Sequence, residues 1–349
     1  MGLVKLPEPS ISFFRSKLDE IFVSGTLAEG PWNERLAKFG SEYCKVKCAL
    51  PTVSNGSGMM ALLQIYKEYD NRSKVLLQSN TMYGVKTLVR SAGLAVCDYI
   101  DCNPMTLMPD LSDVENAVKG VADKRSLVIL LSHIGGTINP EIAEIADFCK
   151  QNRITLLEDC AHSFGATLEN KHSGTFGDAG VYSFYATKSI PAGEGGLVVT
   201  NNEEISTILN NYVKYDRFNQ VMNIGVNIRL SEVQALLIYS VVKEVDHIVK
   251  SKADIASKYI EVCEKLPIPF IRQESGNNIG NYYKFIVLSK KGDISADLPH
   301  LRTTTSKVYD YSLGNTKVIT TNHACLPIWY GQPQDLTEKV VQELQLNAR

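Results

Sequence analysis

The stretch LLEDCAHSFGATLENKHSGTFGDAGVYSFYATKSIPAGEGGLVVT (156–200) decides the fold. The apolar run ITLLED (154–159) predicts a buried strand that ends in the acid pair Glu158-Asp159. A second run, GVYSFY (180–185), predicts a strand that ends near Tyr185 and delivers Thr187-Lys188 into the glycine-rich turn GEGG (193–196). GGLVVT (195–200) predicts a third strand. Ligands of parallel sheets bind beyond the carboxyl ends of the strands, so Asp159 points at a site.

Outward from this stretch the same alternation continues. VLLQS (75–79), AVCDYI (95–100) and LVILLS (127–132) read as strands. Between them, TLVRSAG (87–93) reads as the end of a helix stopped by Gly93, and a further helix falls near 140–152. Strand and helix alternating at this pace predict an α/β fold with a mostly parallel sheet covered on both faces. Residues 231–265 contain no Gly or Pro and carry apolar residues at helical spacing, which predicts one long helix or two joined ones. The remainder holds short strands such as FIVLS (285–289) and an amphipathic helix from about Asp335, a small α+β unit. Residues 7–45 read as a helix and an extended arm. The expected division is an N-terminal arm with a large domain over 1–240, then a linking helix and small C-terminal domain over 241–349.

Composition narrows the function. A net charge of −2 provides no global positive field for nucleic acid. There is no run of about 20 apolar residues to span a membrane, and the opening residues carry no secretory h-region. Of the eight cysteines, Cys44 and Cys48 come nearest to a metal-ligand pair, but no second Cys/His pair follows them, so no metal site is expected. These features suggest a cytoplasmic protein with free thiols.

A site with one Asp, one Lys, a Ser and glycine turns suits a particular chemistry. A lysine beside a carbonyl cofactor forms a Schiff base, and a pyridine ring acting as an electron sink needs a carboxylate partner for its nitrogen. A phosphate needs N–H groups at a helix start, and SNGSGMMALLQIY (54–66) offers a Gly/Ser turn running into an apolar helix. Taken singly, each element has a plainer reading: a strand-end Asp caps a turn, a lone lysine lies on the surface, and a glycine pair makes a hairpin. Their order and spacing together match what pyridoxal 5'-phosphate (PLP) requires.

The motifs EDCAHSFG (158–165), GTFGD (174–178), SFYATK (183–188) and GEGG (193–196) resemble the signature of the DegT/DnrJ/EryC1/StrS family of PLP-dependent sugar aminotransferases. FVSGTLAEGP (22–31), SHIGG (132–136) and GVNIRLSEVQALL (225–237) resemble further family segments, and only the last ~80 residues match loosely. The resemblance implies the aspartate-aminotransferase-like α/β architecture (fold type I). It also implies transfer of an amino group, from glutamate, to C3 or C4 of a nucleotide-linked keto-sugar, in amino-sugar, lipopolysaccharide or antibiotic-sugar biosynthesis. By the same resemblance, Lys188 is the Schiff-base lysine and proton shuttle, Asp159 partners the pyridine nitrogen, and His162 sits against the cofactor. Ser183 and the Ser57-Gly58 turn hold the phosphate, and Asn227 reaches the cofactor of the other subunit in a homodimer. At the position of the family's ring-stacking aromatic the resemblance places Met82, so either its thioether covers the ring or the register slips by one and Tyr83 stacks. Sugar dehydratases within the family, and a catalytically silent ligand-binding relative, are the competing readings. Lys188 opposes the first, and the intact Asp159, Ser183 and Lys188 oppose the second.

Overall fold

The computed structural model describes residues 4–215, 222–299 and 314–347. Helices α1 (Glu8–Ser24) and α2 (Pro31–Cys44) precede β1 (Cys48–Thr52). There follow α3 (Asn55–Asp70), β2 (Lys74–Gln78), α4 (Tyr83–Ser91), β3 (Ala95–Ile100), α5 (Leu111–Lys119), β4 (Leu127–Ser132), α6 (Ile142–Asn152) and β5 (Thr155–Cys160). The short strands β6 (Thr167–Leu168) and β7 (Lys171–His172) lead to β8 (Ala179–Ser183), β9 (Gly196–Thr200) and α7 (Glu203–Lys214). Helices α8 (Glu232–Val242) and α9 (Val245–Lys265) carry the chain to β10 (Glu274–Ser275), β11 (Asn278–Ile279), β12 (Phe285–Leu288) and α10 (Ile294–Asp297). After them come α11 (Gly314–Ile319), β13 (His323–Leu326) and α12 (Gln334–Leu346).

Seven strands form the main sheet in the order β1-β9-β8-β5-β4-β2-β3. The pairings β2 with β3 and β4, β4 with β5, and β5 with β8 are parallel, while β9 runs antiparallel to both of its neighbours. The period of two along each strand sends alternate side chains to opposite faces. Val128 and Leu130 join one core with α3 and α7 residues such as Leu62 and Leu209, while Ile129 and Leu131 join another with Val114, Ile142 and Ile145. Helices α1, α2 and α8 cover Phe184 and Leu197 through Trp32, Leu36 and Leu236. Strands β12 and β13 form a separate antiparallel pair. One side of it packs with Tyr259 and Leu344, and the other, through Ile286, Leu288 and Cys325, packs on Cys102 and Leu107. That second contact holds the pair against the segment that follows β3.

Two expectations need correction, and one left open is decided. The strand expected to run to Tyr185 ends at Ser183, because the Tyr185 N–H turns back to Ser183 Oγ (3.3 Å) and the Lys188 N–H to the Tyr185 carbonyl (2.9 Å). Of the two arrangements expected for residues 231–265, the structure has the two joined helices, with the join at Lys243-Glu244. The break carries no Gly or Pro and falls where the almost wholly buried α8 gives way to an amphipathic α9. The extended arm near the N-terminus shortens to a few residues around Gly30, after which a second helix begins.

That helix start is held from far away in sequence. The buried Glu232 carboxylate accepts the N–H groups of Gly30 (3.0 Å), Trp32 (2.7 Å) and Asn33 (3.2 Å) and the Asn33 amide (2.6 Å). An anion at a helix N-terminus satisfies donors that the helix itself cannot. Glu232→Ala is expected to destabilise the protein by about 3 kcal/mol, the scale of two charge-assisted bonds, read from the denaturant midpoint at unchanged slope. A cost below about 1 kcal/mol would show that water replaces the carboxylate there.

Candidate active site

The parallel strands end together around a cavity of about 380 Å³. Its walls include Ser54, Asn55 and Gly56, the residues after β2 (Asn80, Thr81, Met82), Ser132 and His133 after β4, Asp159, His162, Ser183, Thr187 and Lys188. Tyr283, Lys284, Ile286, His323 and Cys325 close it from the β12–β13 side. No described helix is long and apolar enough to cross a membrane.

The two acids at the end of β5 part company. Asp159 lines the cavity. Its Oδ1 accepts the Asn55 amide (3.1 Å) and the Ala161 N–H (3.1 Å), and its Oδ2 meets Ser132 Oγ at 3.4 Å. Asn55 is itself fixed by the Val181 carbonyl (2.7 Å). Glu158 is buried and bonds His133 Nε2 (2.8 Å) and the N–H groups of Gly174 (2.8 Å), Phe176 and Gly177 (2.7 Å each). His133 Nδ1 accepts from the Asn139 N–H, so Nε2 carries the proton. His133, Glu158 and Cys160 are close enough to surround a cation, but these bonds already occupy the imidazole and carboxylate lone pairs a metal would need.

Lys188 follows β8 and enters the cavity with Nζ 5.2 Å from the centre of the Tyr283 ring. Burial lowers its proton affinity below the ordinary lysine value, Asp159 opposes that shift, and Lys284 adds to it. A neutral amine is the form that attacks a carbonyl or takes a proton. His162 stacks on Tyr283 with ring centres 4.3 Å apart, and its buried Nδ1 has no hydrogen-bond partner among the described residues. Burial, then Lys188 and Lys284, hold His162 well below the usual histidine range, so its ring is neutral. The backbone beside Lys188 is tied to the opposite wall: Ser189 Oγ accepts from the buried Lys252 Nζ (2.6 Å) and donates to the Asn281 carbonyl (3.0 Å). Asn281 in turn donates to the carbonyls of His162 and Phe164 (2.8 Å each).

The other expected residues are placed as follows. Ser183 lines the cavity beside Lys188. Ser57 and Gly58 do not line it. The Ser57 hydroxyl closes a capping box with Ser54, and Gly58 faces the sheet, where a Cβ would come within 2.8 Å of Val198 Cγ2. The residues at the cavity from this turn are Ser54, whose N–H is taken by Ser57 Oγ (3.1 Å), and Asn55 and Gly56, whose helix-start N–H groups have no intrahelical partner. Behind them stands Gly196 of GEGG, where a Cβ would lie 2.5–2.7 Å from the backbone of Ser54 and Asn55. Met82 lines the cavity and Tyr83, which opens α4, does not. Asn227 is exposed and outside the cavity, with its side-chain oxygen on the Arg229 N–H (3.3 Å). Reading the sequence assigned no role to Asn55, Tyr283, Lys284 or His323. Asn55 lies inside the quoted SNGSG turn, whereas the other three sit where family motifs fade.

The family model for DegT/DnrJ/EryC1/StrS aminotransferases matches residues 11–302. The chain belongs to this family. It is 27% identical over 311 residues to a GDP-perosamine synthase of Vibrio cholerae, covering 84% of this chain and 80% of that one. It is 23% identical over 280 residues to a Helicobacter pylori UDP-4-amino-4,6-dideoxy-N-acetyl-beta-L-altrosamine transaminase, covering 74% and 71%. Among solved structures, a Helicobacter pylori aminotransferase involved in the biosynthesis of pseudoaminic acid superposes with a TM-score of 0.84 at 19% identity, over 99% of this chain and 98% of that one. A GDP-4-keto-6-deoxymannose-3-dehydratase superposes with a TM-score of 0.79 at 18% identity, over 98% and 99%. At such identities the structural matches establish the fold, here that of PLP-dependent aminotransferases.

Pyridoxal phosphate is the cofactor of this aminotransferase family, and the residues present suit it. A lysine of lowered proton affinity, a carboxylate, an imidazole nitrogen with no hydrogen-bond partner among the described residues and a helix start share one cavity. Borohydride reduction of the loaded protein followed by peptide mapping is expected to place the label on Lys188; label on another lysine would displace it. Lys188→Met is also expected to stabilise the cofactor-free protein at pH 7. A folded-state proton affinity below the ordinary value of 10.5 costs stability wherever the unfolded lysine is charged. The cost fades as pH rises toward that value, so the melting-temperature gap between variant and wild type should narrow from pH 7 to pH 10.

Proposed function

We propose that this aminotransferase moves an amino group from glutamate to C3 or C4 of a nucleotide-linked keto-sugar, working as a cytoplasmic homodimer in amino-sugar biosynthesis. The observation that carries the reading is Lys188, a lysine of lowered proton affinity facing Asp159 across the cavity. The nucleotide-sugar substrate is supported by what the curated relatives are named for. The fold alone does not choose, since a dehydratase shares it. Lys188 chooses, because an amine at that position supplies both the nucleophile and the proton carrier that transamination needs.

Bound pyridoxal phosphate supplies a carbonyl that captures amines and a ring that withdraws electrons from the adjoining carbon. Asp159, oriented by Asn55, Ala161 and Ser132, would partner the ring nitrogen. The helix start at Ser54–Gly56 and the Ser183 hydroxyl are assigned to the phosphate, and Met82 and His162 to the two faces of the ring. Lys188 Nζ, once free and neutral, takes the proton from the donor carbon that bears nitrogen and later returns one to the sugar carbon. Residues 1–240 are proposed to hold the cofactor, while 241–349 close the cavity over the substrate.

Incubation with ¹⁵N-glutamate and a panel of GDP-, UDP- and TDP-linked keto-sugars is expected to yield one mass-shifted amino-sugar and 2-oxoglutarate. Loss of water from the sugar with no nitrogen gained would favour the dehydratase reading instead. The dimer proposal draws on Asn227, exposed and outside its own cavity. Lys188→Ala and Asn227→Ala chains, each impaired alone, should regain roughly a quarter of wild-type activity when mixed, since half of the dimers are hybrids with one intact site of two. No recovery after confirmed subunit exchange assigns Asn227 to no shared site.

A further inference from the structure

Lys284 is the second lysine of the cavity. Its Nζ lies 5.0 Å from the centre of the Tyr283 ring, the same ring that Lys188 Nζ approaches at 5.2 Å. Its backbone is clamped on both sides, the N–H by the Gly135 carbonyl (2.8 Å) and the carbonyl by Gln273 Nε2 (2.6 Å). The side chain is therefore presented from a fixed point immediately before β12. It makes no ion pair with any described carboxylate. The acids lining the cavity are Asp159, whose oxygens are engaged by Asn55, Ala161 and Ser132, and Glu194. A lysine at a cavity wall with no carboxylate partner among the described residues is open to an anion that arrives from outside.

We infer that Lys284 seats the carboxylate of the amino donor beside Lys188. This rests on the aminotransferase reading above and adds a residue and a ligand group to it. The chemistry of the two substrates selects this anion. In an amino-acid donor, the carboxylate is one bond from the nitrogen-bearing carbon, so it must lie close to the nitrogen of Lys188 when that carbon reacts. In a nucleotide-linked keto-sugar, the diphosphate is separated from C3 or C4 by the sugar ring and lies farther away. The charge of Lys284 is felt at the reacting centre, since it helps to lower the proton affinity of both Lys188 and His162. A bound carboxylate offsets that influence only while donor is present.

The test uses the cofactor-loaded protein and three unreactive probes, glutarate, GDP and UDP, with dissociation constants from calorimetry. Wild type is expected to bind glutarate. Lys284→Met should weaken glutarate at least tenfold, about 1.4 kcal/mol, with GDP and UDP changed less than twofold, and Lys284→Arg should recover most of the loss. Unchanged visible absorbance and circular dichroism of Lys284→Met would show that cofactor site and fold are intact. If wild type does not bind glutarate, if Lys284→Met binds it like wild type, or if GDP or UDP is weakened instead, the carboxylate assignment is overturned. Glutarate binding that behaves as expected, with no keto-sugar aminated, keeps the anchor and removes the sugar reading. Sugars aminated normally, with glutarate binding unaffected by Lys284→Met, do the reverse.

Discussion

The burial of one carboxylate organises this site. Glu158 lies beneath the end of β5 with no solvent exposure, and three backbone N–H groups and His133 converge on it. A buried anion is stable only when its lone pairs are met. Glu158 therefore fixes the loop Gly174–Gly177, and with it the entry into β8. The return bond runs from the Leu156 N–H to Asp178 Oδ2 at 2.8 Å. The segments EDCAHSFG and GTFGD, distinct in the sequence, are two halves of one hydrogen-bonded unit. Because side chains alternate along a strand, anchoring Glu158 on one face leaves Asp159 on the other, where the cavity is.

The electrostatics of the cavity follow from that placement. Asp159 is the acidic group, and its donors fix its orientation. Lys188 and Lys284 bring two positive charges into a partly desolvated space. Burial and mutual repulsion push Lys188 toward the neutral amine, and Asp159 limits the shift. His162, flanked by both lysines and buried, stays neutral and serves as a flat surface instead of a third cation.

Rigidity reaches the site from both sides. Gly196 lets β9 press against the backbone at the start of α3, so the glycine turn after Lys188 and the helix start at Ser54 have a fixed separation. On the opposite side, Asn281 bonds the carbonyls of His162 and Phe164 and receives Ser189, so the segment leading to β12 is stitched to the loop after β5. The proposed roles of Lys188 and Asp159 on one small ring would need such fixed separations, because misplacement by about 1 Å costs roughly a hundredfold in rate.

Much of this was determined by the sequence alone. The run LVILLS was legible because a parallel strand covered on both faces must be apolar throughout, and all six of its residues are buried within the predicted bounds; AVCDYI, at the sheet edge, also has the predicted bounds but is largely exposed. Asp159, His162, Ser183 and Lys188 were legible because they stand in motifs with fixed spacing, and the structure brings all four to one cavity. Tertiary structure decided what depends on facing and approach. The glycine turn at 54–58 contributes Ser54, Asn55 and Gly56 to the cavity, while Ser57 turns to capping and Gly58 to the sheet, because a helix rotates each successive residue by about 100°. Tyr283, Lys284 and His323 came from β12–β13, where no spacing rule links a residue to the sheet on which it closes. Contacts between segments more than a hundred residues apart follow from packing, and packing has no local signature in the sequence.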